Sequence, residues 1–410
     1  PRQLVPQDRN NFAPRVGFAY QLTKKTVLRS GYGIFYSSYE AGPLSIPNMG
    51  NNPPFYIEAN YPAVSFSTPN PLVNRLSKGL PANVFINPSA PSLFSLDPNF
   101  RDPYVQHWNF GVQQDLGFNT VWEISYAGSA GKKLYEFRNA NQPLPTSDPN
   151  ADVDPRRPRP FLGNDLTYWC SCGSSTYHSM QTKVEKRFSN NLSFLGAYTF
   201  GKSIDEVSQA SLGFNNSTGV RSEYNYRWEK ARSDFDQAQR FVVSYTYDVP
   251  FGNNLKGVAQ SLIGGWQFMG IHSFTTGTPY TIHASTDFSN AGGDARPNAV
   301  VGVSTTPPGG RSQQEWFNPA AYTNPTQQGV FGNVGRNTLS GPGNISVDLS
   351  IFKNFPLKER TKIQFRSEFF NLINHPNFSG LSTTFDSPNA GQLTSAGASR
   401  QIQFALKLLF

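Results

Sequence analysis

The feature that most constrains the fold is a regular alternation of short and long connections between segments with two-residue apolar periodicity. Such periodicity is typical of β-strands that turn one face towards an apolar environment. We predict eleven strands, over residues 15–21, 26–36, 105–115, 120–128, 176–188, 192–205, 238–249, 265–282, 344–354, 361–373 and 400–410. The connections that follow odd-numbered strands are short, whereas those that follow even-numbered strands are long.

The long connections lie near residues 37–104, 129–175, 206–237, 283–343 and 374–399. Outer-membrane barrels alternate their connections in this way, because tight turns face the periplasm and long loops face the outside. The pattern therefore predicts an all-β fold, a transmembrane antiparallel β-barrel of outer-membrane type whose first and last strands both run towards the periplasm. Bacterial single-chain barrels have an even number of strands. Eleven strands thus indicate part of a larger barrel.

The composition agrees with a barrel in lipid. Aromatic residues make up 14% of the chain and charged residues 15%, against about 25% charged residues in ordinary globular domains. A barrel places aromatic side chains outside and polar ones inside. The net charge is +8, but no basic run is interleaved with aromatic residues, so we expect no nucleic-acid partner. The basic stretch Arg156, Arg157 and Arg159 could contact lipopolysaccharide, although a solvated loop is the simpler interpretation.

Two cysteines stand in the run Trp169-Cys-Ser-Cys. Thiols outside the cytosol tend to oxidise, and a bridge across one intervening residue would close a tight ring. A metal site would need two more ligands, and none stands at a recognisable spacing. We favour a loop disulfide between Cys170 and Cys172, with free or intermolecular thiols and a metal site as the alternatives.

No motif indicates an enzyme, a cofactor or a metal. The five histidines are scattered as His107, His178, His272, His283 and His375. No serine lies in a strand–turn–helix context that would indicate a catalytic nucleophile. Asp287 and Asp294 flank a glycine-rich segment that could hold Ca²⁺, but their spacing matches no fixed calcium loop. The ligand-binding residues cannot be identified from the sequence.

The two ends of the chain carry separate expectations. The N-terminus has no charged or apolar region of a signal peptide, so we expect a fragment of a longer protein. The last strand places apolar residues at every second position and ends on an aromatic residue. These residues are Ile402, Phe404, Leu406, Leu408 and Phe410. We interpret this strand as the signal read by the barrel-assembly machinery and as the closing strand of the sheet.

Short runs spread over nearly the whole chain carry a resemblance to one family. They are DRNNFAPRVGFAY (8–20), YHSMQTKVEKRF (177–188), YTFGKSID (198–205), GW (265–266), GTPY (277–280), GRNTLSGPG (335–343), FRSEFFNLINHPNF (365–378) and the final strand, 401–410. Through them the chain resembles the C-terminal half of the barrel of TonB-dependent outer-membrane receptors, of the Oar-like type found in acidobacteria.

This resemblance implies a 22-stranded barrel with an N-terminal plug. The plug, the TonB box and the front half of the barrel are not in residues 1–410. It further implies surface binding of a bulky ligand (a siderophore, a glycan or a peptide) followed by TonB-energised import. Outer-membrane lipid, lipopolysaccharide, the barrel-assembly machinery and TonB are the expected partners. A surface adhesion or structural barrel without active transport is the alternative. An outer-membrane hydrolase and a soluble all-β domain are weaker alternatives.

Overall fold

The computed structural model describes residues 8–37, 93–162, 165–208, 220–252, 255, 257–358 and 361–410. The strands are β1 (Arg15–Thr23), β2 (Thr26–Tyr36), β3 (Leu93–Leu96), β4 (Tyr104–Gly117), β5 (Thr120–Asn139), β6 (Leu166–Ser189), β7 (Leu192–Asp205), β8 (Ala231–Arg232), β9 (Gln239–Asp248), β10 (Trp266–Thr275), β11 (Pro279–Tyr280), β12 (Asn298–Ala299), β13 (Tyr322–Thr323), β14 (Leu339–Ser340), β15 (Asn344–Lys358), β16 (Thr361–Phe370), β17 (Phe378–Leu381), β18 (Leu393–Ala396) and β19 (Gln401–Leu409). Helix α1 spans Val258–Ile263, and 3-10 helices span Asp154–Arg156, Pro160–Leu162, Tyr226–Glu229 and Pro319–Ala321.

One sheet of 13 strands dominates the fold. Its main path runs β1-β2-β4-β5-β6-β7-β9-β10-β15-β16-β19, so each long strand pairs with its neighbours in sequence. All pairs on this path are antiparallel, whereas the short β3 pairs in parallel with β6. The predicted all-β antiparallel fold with eleven long strands is confirmed. In the described part of the chain β1 and β19 do not pair, so the sheet has two open edges.

The register sorts the side chains of the sheet into two faces, because residues paired across an antiparallel ladder point to the same side. Phe194 pairs with Tyr245, which pairs with Gly270 and then with Leu349 on the next strands. Leu349 pairs in turn with Phe369. This row and the side chains that point to the same side of the other strands form the apolar face of the sheet. The opposite residues, such as Lys183 and Glu368, form a polar face.

The structure corrects several predicted boundaries. The region 129–175 is not a single loop, because β5 continues to Asn139 and β6 begins at Leu166. The extension passes register shifts on either side of Leu134, and these irregularities hid it from a strict two-residue period. The eighth strand ends at Thr275 rather than 282, and Phe410 lies beyond the end of β19. Residues 38–92 and 209–219, within two predicted loops, lie outside the described residues.

The long connections pack into a structure of their own, which we call the loop cap: residues 140–162, 220–238, 276–343 and 371–400. A hydrophobic core joins its last two segments. The core contains Ile282, Phe317, Ala321, Tyr322, Val334, Leu339, Leu381 and Leu393. Phe317 and Ile282 are completely buried. Among the described residues, no helix is long and apolar enough to cross a membrane.

Candidate functional site

The polar face of the sheet is concave. A cavity of about 970 Å³ opens on it, lined chiefly by polar-face residues of six neighbouring strands, among them Lys183, Ser244, Asp348 and Glu368. The right-handed twist of β-sheets produces such curvature, and the polar side chains lie on its inner side. This arrangement is the one expected of a barrel wall whose interior is wet.

The charges on the concave face are accessible. Lys183 Nζ lies 3.4 Å from Glu185 Oε2 and 3.8 Å from Glu123 Oε2, and all three side chains are about two-fifths exposed. Exposed ion pairs of this kind contribute little to stability. These side chains therefore remain available to a solute that enters the concavity.

The loop cap is fixed to the end of this wall by buried charges, and the first cluster centres on Arg336. Its guanidinium pairs with the carboxylates of Asp205 and Asp234, the latter at 3.0 Å. It also donates to the backbone oxygens of Asp205 and Glu229 at 3.0 Å each. Because Asp205 is the last residue of β7, this cluster joins the cap directly to the sheet.

A second cluster lies wholly within the cap. Arg296 is fully buried and donates to Glu229 Oε2 at 2.5 Å and to Asp294 Oδ2 at 2.7 Å. The other oxygen of Asp294 contacts His283 Nδ1 at 2.7 Å. The guanidinium of Arg221 stacks over Trp228 at 4.4 Å and donates to Gly332 O at 2.6 Å. Burial and the nearby Arg296 charge both lower the pKa of Arg221.

Glycine at two positions permits this close packing of loop on loop. A Cβ on Gly332 would lie 1.9 Å from the backbone oxygen of Arg296, and one on Gly293 would lie 2.4 Å from that of Arg221. No real side chain fits at such distances. The two glycines therefore let the segments that carry Arg221 and Arg296 come together.

A third cluster joins the cap to β5. Arg138 pairs with the buried Glu136 at 3.0 Å, and its guanidinium lies 3.6 Å above the ring of Tyr226. Glu223 Oε1 accepts the backbone N–H of Asn139 at 2.7 Å. Burial raises the pKa of Glu223 to about 7 and also raises the pKa of Tyr226. This cluster thus contains a carboxyl group that titrates near neutral pH.

The cysteines lie beside this third cluster. The structure joins Cys170 and Cys172 in a disulfide, but both lie within β6 and not in a loop, so the predicted loop location is wrong. Cys172 Sγ is 3.5 Å from Glu136 Oε2, and one ligand atom from each of Cys170, Cys172 and Glu136 lies within 4.8 Å of the others. The sulfur atoms of a disulfide lack the thiolate charge that binds metals. With the disulfide formed, Cys170, Cys172 and Glu136 are therefore not a thiolate metal site.

The remaining sequence candidates have structural roles in the described part of the chain. Asp287 accepts the N–H groups of Ser289, Ala291 and Gly292, which closes a local turn. Asp294 belongs to the second charge cluster. The two aspartates therefore serve loop structure.

The basic stretch is likewise used within the cap. Arg156 donates to Leu144 O at 2.6 Å and to Asn290 O at 2.7 Å, and Arg157 pairs with Asp165 at 2.6 Å. Through these contacts Arg156 and Arg157 hold neighbouring loop segments together. Among the described residues, no side-chain hydrogen bond that is seen joins a histidine ring to a serine or a cysteine: His178, for example, bonds Tyr126 Oη at 2.6 Å.

The C-terminal strand has its apolar row on the apolar face at the open edge of the sheet. Ile402, Phe404, Leu406 and Leu408 are between 51% and 75% exposed, and Phe410 follows the strand. This geometry makes the row available to another surface.

The buried charges of the cap were not predicted from the sequence. One signal points to them: residues 221–237 contain eight charged side chains in seventeen positions, in a chain that is only 15% charged. Solvated charge runs are common, however, and the partners lie more than 60 residues away: Arg296 is 67 residues from Glu229 and Arg336 is 131 from Asp205. No local pattern encodes such pairings.

Comparison with known proteins gives one family match. A profile described as "Outer membrane beta barrel domain" matches residues 1–403. No curated protein matches the chain significantly.

Similar solved structures include the outer membrane transporter YddB from Escherichia coli, at 11% identity and a TM-score of 0.48. Two others are FpvA of Pseudomonas aeruginosa bound to heterologous pyoverdines (8%, 0.47) and the ferric enterobactin receptor PfeA of the same organism in complex with enterobactin (10%, 0.47). The similarity covers 97%, 97% and 98% of this chain, but only 40%, 33% and 41% of theirs.

Proposed function

The chain belongs to the outer membrane beta-barrel family, and from this premise we propose that it is the C-terminal half of a TonB-dependent receptor barrel of the Oar-like type. One observation carries the proposal: a concave polar face is bordered at its long-loop end by a cap that buried charges hold together. In a receptor, a ligand would bind at this cap and pass along the polar face.

The dimensions of the polar face favour a bulky ligand. The cavity of about 970 Å³ is at the upper end of the roughly 300–1,000 Å³ of ordinary small-molecule pockets. Accessible charges of both signs, hydroxyl groups and apolar side chains such as Met269 and Ile271 line this open cavity. A siderophore, a glycan or a peptide fits this chemistry.

We place the eleven strands in a closed barrel of about 22, with a plug that contacts TonB. Open strand edges in lipid leave backbone N–H and C=O groups without partners, which costs several kcal/mol for each group. Strands supplied from elsewhere in the same protein would remove that cost. In this scheme the barrel-assembly machinery reads the C-terminal row from Ile402 to Phe410, and lipopolysaccharide surrounds the outer end of the wall.

Transport in cells tests the proposal. The full-length protein, expressed in the outer membrane, would be offered radiolabelled ferric siderophores, labelled oligosaccharides and labelled peptides in matched strains with and without functional TonB. We expect uptake of one ligand class that is lost without TonB. Surface binding without uptake, or uptake that survives the loss of TonB, would support the adhesion or structural barrel instead.

A further inference from the structure

The connection between β9 and β10 differs from the other turns at its end of the sheet. Residues 249–265 contain helix α1, whereas the β1–β2, β4–β5 and β6–β7 connections at that end are two-residue turns. Five large apolar side chains of this connection are strongly exposed. They are Phe251 (70%), Leu255 (41%), Val258 (76%), Leu262 (67%) and Ile263 (51%). Contiguous exposed apolar groups on a folded protein mark an interaction surface.

Lys353 fixes the side of the sheet on which α1 lies. In the register, Lys353 pairs with Trp266 on one side and with Phe365 on the other, so it belongs to the apolar face. It is nevertheless only 2% exposed. Its Nζ donates to the backbone oxygen of Gly264 and lies 3.3 Å from that of Leu262. The end of α1 therefore covers Lys353 from the apolar side.

The chemistry of this contact holds the helix in place. A cation beside the last carbonyl groups of a helix is favourable, because these groups carry partial negative charge and lack partners within the helix. The ring of Trp266 lies 4.9 Å from Lys353 Nζ and adds a cation–π contact. Lysine on a lipid-facing surface would otherwise be costly. Here its charge is satisfied by the turn that it anchors.

We propose that the β9–β10 connection is a membrane-interface anchor. The apolar face of an outer-membrane barrel contacts lipid, and α1 continues that face at its short-turn end. The helix has the sequence VAQSLI, without a charged residue. The exposed apolar side chains of α1 lie at the boundary between phospholipid headgroups and acyl chains. Val258, Leu262 and Ile263 insert into this boundary, as the apolar residues of interfacial helices do. Trp266 lies at the depth that aromatic residues prefer.

Spin labelling tests this placement in the full-length protein reconstituted in phosphatidylethanolamine–phosphatidylglycerol vesicles. Nitroxides on Val258→Cys and Leu262→Cys are compared for collisions with oxygen, which partitions into lipid, and with a water-soluble nickel chelate. A label on Phe404→Cys gives the lipid reference and a label on Val301→Cys, 98% exposed in the cap, gives the aqueous one. The unsubstituted protein controls for reaction at Cys170 and Cys172. We expect oxygen-to-nickel ratios near the lipid reference at both positions.

The opposite results would overturn the anchor. Ratios near the aqueous reference would place α1 in water, and protection from both reagents would mean that protein covers it. A second variant tests the role of Lys353: Lys353→Met retains most of the side-chain length but removes the charge, and should shift the label at Leu262→Cys towards the aqueous ratio. An unchanged ratio would contradict the anchoring role of Lys353.

Discussion

The wall of the sheet and the loop cap differ in where their apolar side chains lie. The wall exposes its aromatic and aliphatic side chains, as at Phe110 (47%), Phe404 (67%) and Leu406 (75%). The cap buries part of its apolar side chains in a small core, as at Phe317 (0%), and with them it buries Arg296 and Glu229. The two regions are therefore built for two solvents, lipid for the wall and water for the cap.

This difference separates the sources of stability. In the wall, backbone ladders join each strand to its neighbours, and the apolar face gains little by leaving lipid for protein. Neighbouring strands are therefore held chiefly by hydrogen bonds. In the cap, short irregular segments depend on hydrophobic burial and on charges paired over long sequence distances. The same substitution should thus have different costs in the two regions.

The largest effect is expected where the cap meets the wall. Arg336→Ala removes the partner of Asp205 and Asp234, and breaking a buried ion pair typically costs about 3–5 kcal/mol because the remaining charge is uncompensated. Hydrogen exchange should show loss of protection across the cap, with protection of β4 to β7 retained. Arg311→Ala is the control, since Arg311 is exposed and its guanidinium contacts Trp316 and Ser340 O. Equal effects of the two variants would contradict the role of the cluster.

A pair of phenylalanines compares the two solvents directly. Phe317→Ala in the cap core should cost about 3–5 kcal/mol through lost burial and a cavity. Phe110→Ala on the apolar face should cost much less, because lipid fills the space. Phe110→Arg should restore a large cost of roughly 2–4 kcal/mol near the middle of the bilayer. Urea unfolding of the protein in lipid vesicles measures all three, and equal costs for the two alanine variants would contradict a lipid-facing wall.

Glu223 makes the stability of the cap depend on pH. Its pKa rises from 4.5 to about 7 in the folded cap. Between pH 4.5 and pH 7 the carboxyl group is therefore protonated in the folded state and ionised in the unfolded state. The stabilisation of the cap by protonated Glu223 is therefore fully present below pH 4.5. It is lost as pH rises towards 7, and the loss is at most about 3 kcal/mol. Glu223→Gln should protect the cap more than the native residue at pH 8 and equally at pH 4. Hydrogen exchange at the two pH values measures this, and a pH-independent difference would contradict it.

The smallest effect is expected on the concave face. Lys183→Ala breaks two exposed ion pairs, which together should change stability by no more than about 1 kcal/mol. Its consequence for uptake of an anionic ligand is the sharper readout, because the charge faces the cavity. A thermal unfolding scan tests the first expectation. A large loss of stability would show that the wall, like the cap, depends on its charges.

The sequence alone predicted most of the wall. Strands β2 and β7 were predicted at their observed bounds, and the two faces of the sheet followed from alternation alone. This prediction succeeded because successive side chains of a strand point to opposite faces of the sheet. The environment of each side chain, lipid or water, can therefore be read from its neighbours in sequence. The prediction failed at the far ends of β5 and β6, where register shifts near Leu134 interrupt the period.

Only the tertiary structure decided how the cap is built and where α1 lies. Arg336 and Asp205 are 131 residues apart, and nothing near either residue specifies the other. Lys353 interrupts an apolar row in the sequence, and only the fold shows that the carbonyl groups of the β9–β10 connection bury its charge. The contrast has one physical reason: the position of a residue in a lipid-facing ladder is set by its neighbours in sequence, whereas charge pairing in loops is set by which distant segments meet.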